Sequence, residues 1–253
     1  MTRRLRWRRI VAALLGLALL AATPAAEAQE GRTARSTSPD AKVVSQPPAQ
    51  VGHKPKVVRF KENPIIRPEM LPGMDGKSIN GPSLIRVPDW LEKPLGKYYL
   101  YFAHHHGKYI RVAYADRLEG PWTIYKAGTL NVKDVEAVAG PREPKVGAMI
   151  RGVNAPDVHV DDEKKEIRMY VSVTVSNWGH KSAVAISQDG IHFKPRSEPL
   201  GAPYFRVFQW RGYYYALDRI GGVSRSRDGL TRFEKIEPAG LSSLARGRIV
   251  ARN

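Results

Sequence analysis

One pattern occurs three times along this chain, and it restricts the fold more than any other feature. Each copy opens on a proline-containing turn, passes through an aromatic-rich strand pair and closes on an acidic turn followed by an aromatic residue. The first copy begins at Asn80-Gly81-Pro82-Ser83, includes Tyr98-Tyr99-Leu100-Tyr101-Phe102 and ends at Asp116-Arg117-Leu118-Glu119-Gly120-Pro121-Trp122. The second begins at Ala155-Pro156-Asp157-Val158, includes Ile167-Arg168-Met169-Tyr170-Val171 and ends at Ser187-Gln188-Asp189-Gly190, just before Phe193. The third begins at Ala202-Pro203-Tyr204-Phe205, includes Tyr213-Tyr214-Tyr215 and ends at Ser226-Arg227-Asp228-Gly229, just before Phe233. The opening prolines are 74 and 47 residues apart, and the Pro-to-Asp spans inside the copies are 34, 33 and 25 residues. Repeats of this size, each a few strands long, predict an all-β fold built of β-propeller blades. A propeller gathers its functional side chains at its axis, which the opening turns should face.

Residues 1–28 have the composition of an export signal. Arg3, Arg4, Arg6, Arg8 and Arg9 form a basic start, residues 10–22 are apolar, and Ala26-Glu27-Ala28 supplies small residues for cleavage near Ala28. The apolar run falls short of the roughly 20 residues that span a bilayer. A periplasmic or secreted protein with no membrane contact after cleavage is therefore expected. The chain has no cysteine, which excludes disulfides, thiolate metal sites and a lipoprotein anchor. Losing the leader removes five Arg and one Glu and takes the net charge from +17 to +13. Such a surface attracts anionic polysaccharide, cell envelope or nucleic acid. The basic residues are scattered over strands and turns with no basic helix or stripe, so nucleic acid is not an expected partner. Oligomeric state is left open.

Residues 29–56 are rich in Pro, Ser, Thr, Gln and Ala without hydrophobic periodicity and read as a disordered linker. The propeller region is expected over 57–239, with Asn63-Pro64-Ile65-Ile66 leading into the first blade, strands throughout and no helix. Residues 126–150, with Gly140-Pro141 and Glu143-Pro144, read as a longer connection near the axial opening. Residues 240–253 carry no aromatic residue, no acid and no blade pattern, and read as a tail. A closed propeller needs at least four blades. Three copies therefore predict a truncated, partial ring.

These motifs resemble the five-bladed propeller glycosidases: glycoside hydrolase family 43, the related arabinanase, levansucrase and invertase clan, and the neoagarooligosaccharide-type hydrolases. The resemblance rests on Asn63-Pro64-Ile65-Ile66, Asn80-Gly81-Pro82-Ser83, Leu118-Glu119-Gly120-Pro121-Trp122, Ala155-Pro156-Asp157-Val158 and Ser187-Gln188-Asp189-Gly190, and spans about residues 60–235. It implies a glycoside hydrolase-like exported protein acting on polysaccharide or oligosaccharide. The second reading is a non-catalytic glycan-binding propeller, and the third an inactive fragment. The family places an Asp base on blade one, a tuning Asp on blade two and a Glu acid on blade three. Glycoside hydrolysis needs two carboxyls held in different protonation states. Asp157 matches the second Asp. Asn80-Gly81-Pro82 stands where the first Asp-Pro belongs, and Ala202-Pro203-Tyr204-Phe205-Arg206 carries no Glu nearer than Glu198. A catalytic protein would thus use a modified set, with Asp75 or a histidine as proton carrier. Some relatives hold a structural calcium, which nothing in this sequence indicates, and no other cofactor is implied.

The candidate catalytic residues are therefore Asp157, Asn80, His105, His104 and Asp75. Asp157 and Asn80 are alternatively turn residues that cap backbone, and Asp75 lies in loop-like Gly73-Met74-Asp75-Gly76-Lys77. His104-His105-His106 follows Tyr101-Phe102-Ala103 and is read as a continuation of that strand. Successive side chains on a strand point to opposite faces, so the three cannot share one ion and no metal site is expected. One of His104 and His105 is left to face the axis, where its ordinary pKa near 6.5 suits proton transfer, or to end a hairpin. Candidate substrate-binding residues are Trp178, His180, Tyr204 and Arg206: Trp178 as a stacking platform or a core plug, Arg206 as a grip for a sugar carboxylate or sulfate. Asp189 and Asp228 are read as turn-forming. Trp122, Phe193 and Phe233 are read as packing between blades.

Overall fold

A computed structural model of the chain describes residues 56–139, 151–175 and 178–236. Residues 1–28, read above as an export signal, nearly all of the residues read as a linker, the 240–253 tail and both Gly140-Pro141 and Glu143-Pro144 lie outside these residues. The described part is mostly β, in three four-stranded sheets. The first contains β1 (Asn80–Arg86), β2 (Tyr98–Ala103), β3 (Tyr109–Ala115) and β4 (Thr123–Asn131). The second contains β5 (Gly152–Asp161), β6 (Glu166–Val175), β7 (Gly179–Ser187) and β8 (Lys194–Pro195). The third contains β9 (Arg206–Trp210), β10 (Tyr213–Leu217), β11 (Val223–Ser226) and β12 (Glu234–Ile236). Every sheet is an antiparallel meander in chain order. Each sequence copy is thus one complete blade-like unit of four strands, not a strand pair.

Alternation along the strands sends one face of each sheet to a neighbour. Tyr99, Tyr101, Ile110 and Val112 of the first sheet pack with Val153, Ile167, Met169, Val171 and Val173 of the second, together with Phe193. Tyr170 and Val184 on the other face of the second sheet pack with Phe205, Val207, Ala216 and Phe233. Each such buried side chain contributes about 1.5–3 kcal/mol. Phe193 and Phe233 therefore sit between sheets, whereas Trp122 lies on the outer face of the first sheet with Leu100, Phe102, Ala113 and Ala115.

That outer face is covered by the segment before β1, and here two expectations fail. Ile66 and Leu71 plug into it, but the segment carries two short 3-10 turns, Pro68–Met70 and Gly73–Lys77, and the first strand starts only at Asn80. Pro64, Pro68 and Pro72 each lack a donor for a ladder, which keeps the segment out of the sheet. The second failure is a helix, α1 (Val132–Ala139), inside what read as a plain connection. Its cap is visible in retrospect. Asn131 Oδ1 accepts from the Lys133 N–H at 3.0 Å, as an N-cap does, and Val132 and Val135 at i, i+3 are buried in the core between the first two sheets.

The joints between sheets repeat. The Tyr101 hydroxyl donates to the Gly190 carbonyl at 2.8 Å, and the Tyr170 hydroxyl donates to the Gly229 carbonyl at 3.0 Å. Those glycines sit in turns stabilised by one aspartate each. Asp189 Oδ1 accepts from the Ile191 and His192 N–H groups, both at 2.8 Å, and Asp228 Oδ1 accepts from Leu230 at 2.8 Å and Thr231 at 2.9 Å. Burial opposes ionisation of both carboxyls, but these hydrogen bonds outweigh it and bring each pKa down to about 2. At the second joint Arg168, also buried, donates to the Asp228 carbonyl at 2.7 Å and pairs with Asp161 at 3.0 Å.

Candidate functional site

The first strands of the three sheets meet along one edge, and their register reveals an equivalence that spacing alone hides. Ser83 pairs with Tyr101, Asp157 with Tyr170, and Arg206 with Leu217. The Val158 N–H donates to Ser83 Oγ at 2.9 Å, and the Val207 N–H donates to Asp157 Oδ2 at 2.7 Å. Ser83, Asp157 and Arg206 therefore occupy one position in successive sheets. Asn80 corresponds to Asn154, not to an acid, and the first-sheet counterpart of Asp157 is Ser83.

Pro203 lies in a bend ahead of β9, but the other two prolines do not open turns before their strands. Pro82 and Pro156 lie inside β1 and β5, where the register slips between Asn80 and Ser83 and between Asn154 and Asp157. A bulge is where a strand tolerates a residue without an N–H. The residue before each proline is left-handed, with φ of 59° at Gly81 and 50° at Ala155. A β-carbon on Gly81 would stand 3.1 Å from Ala155 Cα, so the two bulges touch and the first favours glycine. A left-handed alanine costs roughly 1–3 kcal/mol, and such outliers cluster at ligand sites. Tyr204, just ahead of β9, is left-handed too, at φ 65°.

Around the joint of the first and second sheets the bulges are tied to a hairpin. Asn80 Nδ2 donates to Ser78 Oγ at 3.2 Å, and the same oxygen accepts from the His105 N–H at 3.2 Å. The Val153 N–H donates to the Gly107 carbonyl at 3.0 Å. Asn154 Oδ1 is buried and has no hydrogen-bond partner among the described residues. The histidines do not continue β2. The strand stops at Ala103, and 104–107 forms a turn closed by the Gly107 N–H to the His104 carbonyl at 2.9 Å. Gly107 permits that turn, and His104 Nδ1 accepts from the His106 N–H at 3.1 Å. His105 and His106 are exposed, with their rings 4.6 Å apart edge to face.

Around the second joint lie Asp157, His180, Tyr204 and Arg206. Arg206 Nη1 donates to the Pro156 carbonyl at 3.0 Å and the Ala155 carbonyl at 3.3 Å, bracing the strained bulge. His180 Nε2 is 2.9 Å from Ser172 Oγ, and its ring meets that of Tyr204 edge to face at 5.4 Å. The Arg219 guanidinium lies 5.9 Å from the Tyr204 ring centre. Burial, helped by the charge of Arg219, lowers the His180 pKa, which keeps the ring neutral over a wider range. Asp157 Oδ2 also lies 3.1 Å from His159 Nε2. His159, Ser83, Asn154 and Arg219 escape sequence reasoning. Two signals could have found some of them: the Asp157-x-His159 spacing, which sets both side chains on one face of a strand, and the likeness of Asn80-Gly81-Pro82-Ser83 to Asn154-Ala155-Pro156-Asp157.

The remaining candidates fall elsewhere. Trp178 packs against the core of the first two sheets. Asp75 is committed to the first sheet: its carboxylate accepts from the Tyr109 hydroxyl, and its carbonyl accepts from buried Arg111, which also reaches the Ser78 carbonyl at 2.6 Å. Burial, reinforced by Asp75, pushes the Tyr109 phenol up to about 12. Among the described residues no group of three or more His, Asp or Glu is placed to hold a metal ion.

No protein-family model matches the chain. It is 37% identical over 190 residues to an uncharacterized protein of Acanthamoeba polyphaga mimivirus, a match covering 70% of this chain and 53% of that protein. The chain thus spans about half the length of the curated relative it matches. Among solved structures it is similar to an alpha-L-arabinofuranosidase from Clostridium thermocellum, with 19% identity, a TM-score of 0.44, and coverage of 62% of this chain and 50% of that one. It is also similar to an exo-beta-1,3-galactanase from Phanerochaete chrysosporium, with 16% identity, a TM-score of 0.43, and coverage of 63% and 38%.

Proposed function

We propose that this is an exported, glycoside hydrolase-like protein whose sugar site lies where β1, β5 and β9 converge, and that it recognises a glycan there. One observation carries the reading: the touching bulges at Gly81 and Ala155, with their left-handed residues. Ala155, unlike glycine, is strained in that conformation, and such strain persists only where surrounding contacts over-determine it. Here it sets two asparagines, Ser83, Asp157 and Arg206 along one edge, a donor and acceptor set suited to sugar hydroxyls.

Recognition fits these residues better than two-carboxylate hydrolysis. Hydrolysis requires an acid and a base on opposite sides of the bond, and the positions equivalent to Asp157 hold Ser83 and Arg206. Hydrolysis is the second reading, favoured by the contact between Asp157 and His159, since a histidine beside a carboxylate is a competent proton carrier. The test is calorimetric titration of the full chain with neutral and acidic oligosaccharides, run beside chromatography of any products. Binding that weakens at least tenfold in Asn80→Ala, with an unchanged circular dichroism spectrum, is the expected result. Release of smaller sugars that stops in Asp157→Asn moves the assignment to hydrolysis. If no oligosaccharide binds, the proposal fails.

A further inference from the structure

The third sheet turns one face into a core and the other to solvent. Val207, Tyr214 and Ala216 are packed against the second sheet. The opposite face presents Phe208, Trp210, Tyr213, Tyr215 and Leu217, with Trp210 52%, Phe208 46% and Leu217 43% exposed. Phe208 and Tyr215 stack nearly parallel, 5.5 Å apart with 16° between planes. Arginines are interleaved: Arg225 and Arg227 both lie over the Tyr213 ring, at 4.9 and 5.0 Å, and Arg211 lies over Trp210 at 4.4 Å. None of these three makes an ion pair with a carboxylate among the described residues.

This face is not a third copy of the joints already described. At those joints a tyrosine hydroxyl reaches a glycine carbonyl in the next sheet, and Ser83 or Asp157 accepts the next first strand's N–H. The same positions in the third sheet hold Leu217, which cannot donate, and Arg206, which cannot accept. The two polar fastenings of the described joints have no counterpart at these positions, where aromatic rings and cations stand instead.

We propose that this face binds an acidic polysaccharide. The aromatic strip offers flat apolar surface to sugar rings. Arg225 and Arg227, held on one ring, direct guanidinium edges at carboxylate or sulfate groups. Beside them lies a cleft of about 290 Å³ lined by Arg225, Arg227, Thr231, Arg232 and Glu234. Glu234 in the same cleft adds an acceptor for sugar hydroxyls, and a nucleic acid is the competing outcome of the test.

The test measures binding of the full chain to immobilised polygalacturonate and heparin, with dextran as the uncharged control and oligodeoxythymidylate as a competing class. Arg225→Gln/Arg227→Gln should weaken polyanion binding at least tenfold, and Trp210→Ala should weaken it several-fold. An equal charge loss at exposed positions, Arg86→Gln/Lys61→Gln, should change it less than threefold, and dextran should not bind. Binding of neutral oligosaccharides at the first strands, which Asn80→Ala weakens, should survive Arg225→Gln/Arg227→Gln, and this separates the two sites. Three results overturn the proposal: equal losses in the two double variants, tighter binding to oligodeoxythymidylate than to polygalacturonate, or a concentration-dependent dimer that Trp210→Ala abolishes.

Discussion

The hydrogen bond from Tyr101 to Gly190 is the cleanest probe of how neighbouring sheets are fastened. The Tyr101 side chain is fully buried, its ring meets Phe193 edge to face at 5.9 Å and Tyr99 at 6.4 Å, and its hydroxyl donates to the Gly190 carbonyl at 2.8 Å. Tyr101→Phe keeps both ring contacts and removes only the donor. Burial holds this phenol well above its ordinary pKa, so it is a neutral donor across any accessible pH. The variant loses a net hydrogen bond worth about 1 kcal/mol and strands a buried carbonyl, for a total of about 1–2 kcal/mol. In a domain of this size that lowers the melting temperature by about 2–4 °C per kcal/mol. Urea unfolding should show a lower midpoint with an unchanged slope, the sign of a stability change without altered compactness. Tyr215→Phe is the control, because the Tyr215 hydroxyl has no hydrogen bond among the described residues, and it should change stability by less than about 0.5 kcal/mol. If Tyr101→Phe and the control are indistinguishable, the joint is held by packing alone and the repeated hydrogen bonds do not fasten the sheets.

The other predictions concern the bulges, the buried ion pair and two titrating groups. Gly81→Ala should destabilise by about 1–3 kcal/mol, since it adds both left-handed strain and a clash, whereas Ala155→Gly should not destabilise; thermal melts of the pair decide, and a loss in both would remove strain as the explanation. Arg168→Ala should cost about 3–5 kcal/mol by leaving Asp161 and Glu166 without their buried partner, read from chemical denaturation. Asp228 has a folded pKa near 2 against an ordinary value of 3.8, so its stabilising contribution is complete above about pH 4 and disappears as pH falls towards 2. Asp228→Asn should flatten the acid limb of a stability profile over that window, and an unchanged limb would contradict it. His180 has a lowered pKa, so its neutral form is favoured by folding, and stability is lost as pH falls below the ordinary 6.5 through the folded value. Arg219→Gln should raise that pKa in an NMR titration.

What the sequence made legible was whatever local chemistry repeats without help from distant residues. The acidic turns at Asp189 and Asp228 are written in four consecutive residues each, and the buried aromatics Phe193 and Phe233 follow at fixed distance. The tyrosine-rich segments became β2 and β10 because alternating aromatics suit a pleated surface buried on one side or both. The helix at Val132 and the stop of β2 before His104 were hidden because each rests on one residue, the Asn131 cap and the Gly107 turn, set in surroundings that otherwise favour strand. The site was less legible for a deeper reason. Asn80-Gly81-Pro82-Ser83 and Asn154-Ala155-Pro156-Asp157 are visibly alike, yet an acid-seeking comparison sets Asn80 against Asp157 and misplaces the whole row. Only hydrogen bonds made across 75 residues, Val158 to Ser83, and 50 residues, Val207 to Asp157, fix the true alignment. Function at such an edge depends on which first-strand side chain faces which neighbour. Here the row Ser83, Asp157 and Arg206 changes from hydroxyl to carboxylate to guanidinium, and the bulge that precedes Ser83 and Asp157 has no counterpart in β9. On the proposed reading that change gives the edge a direction, polar and neutral at one end and cationic at the other.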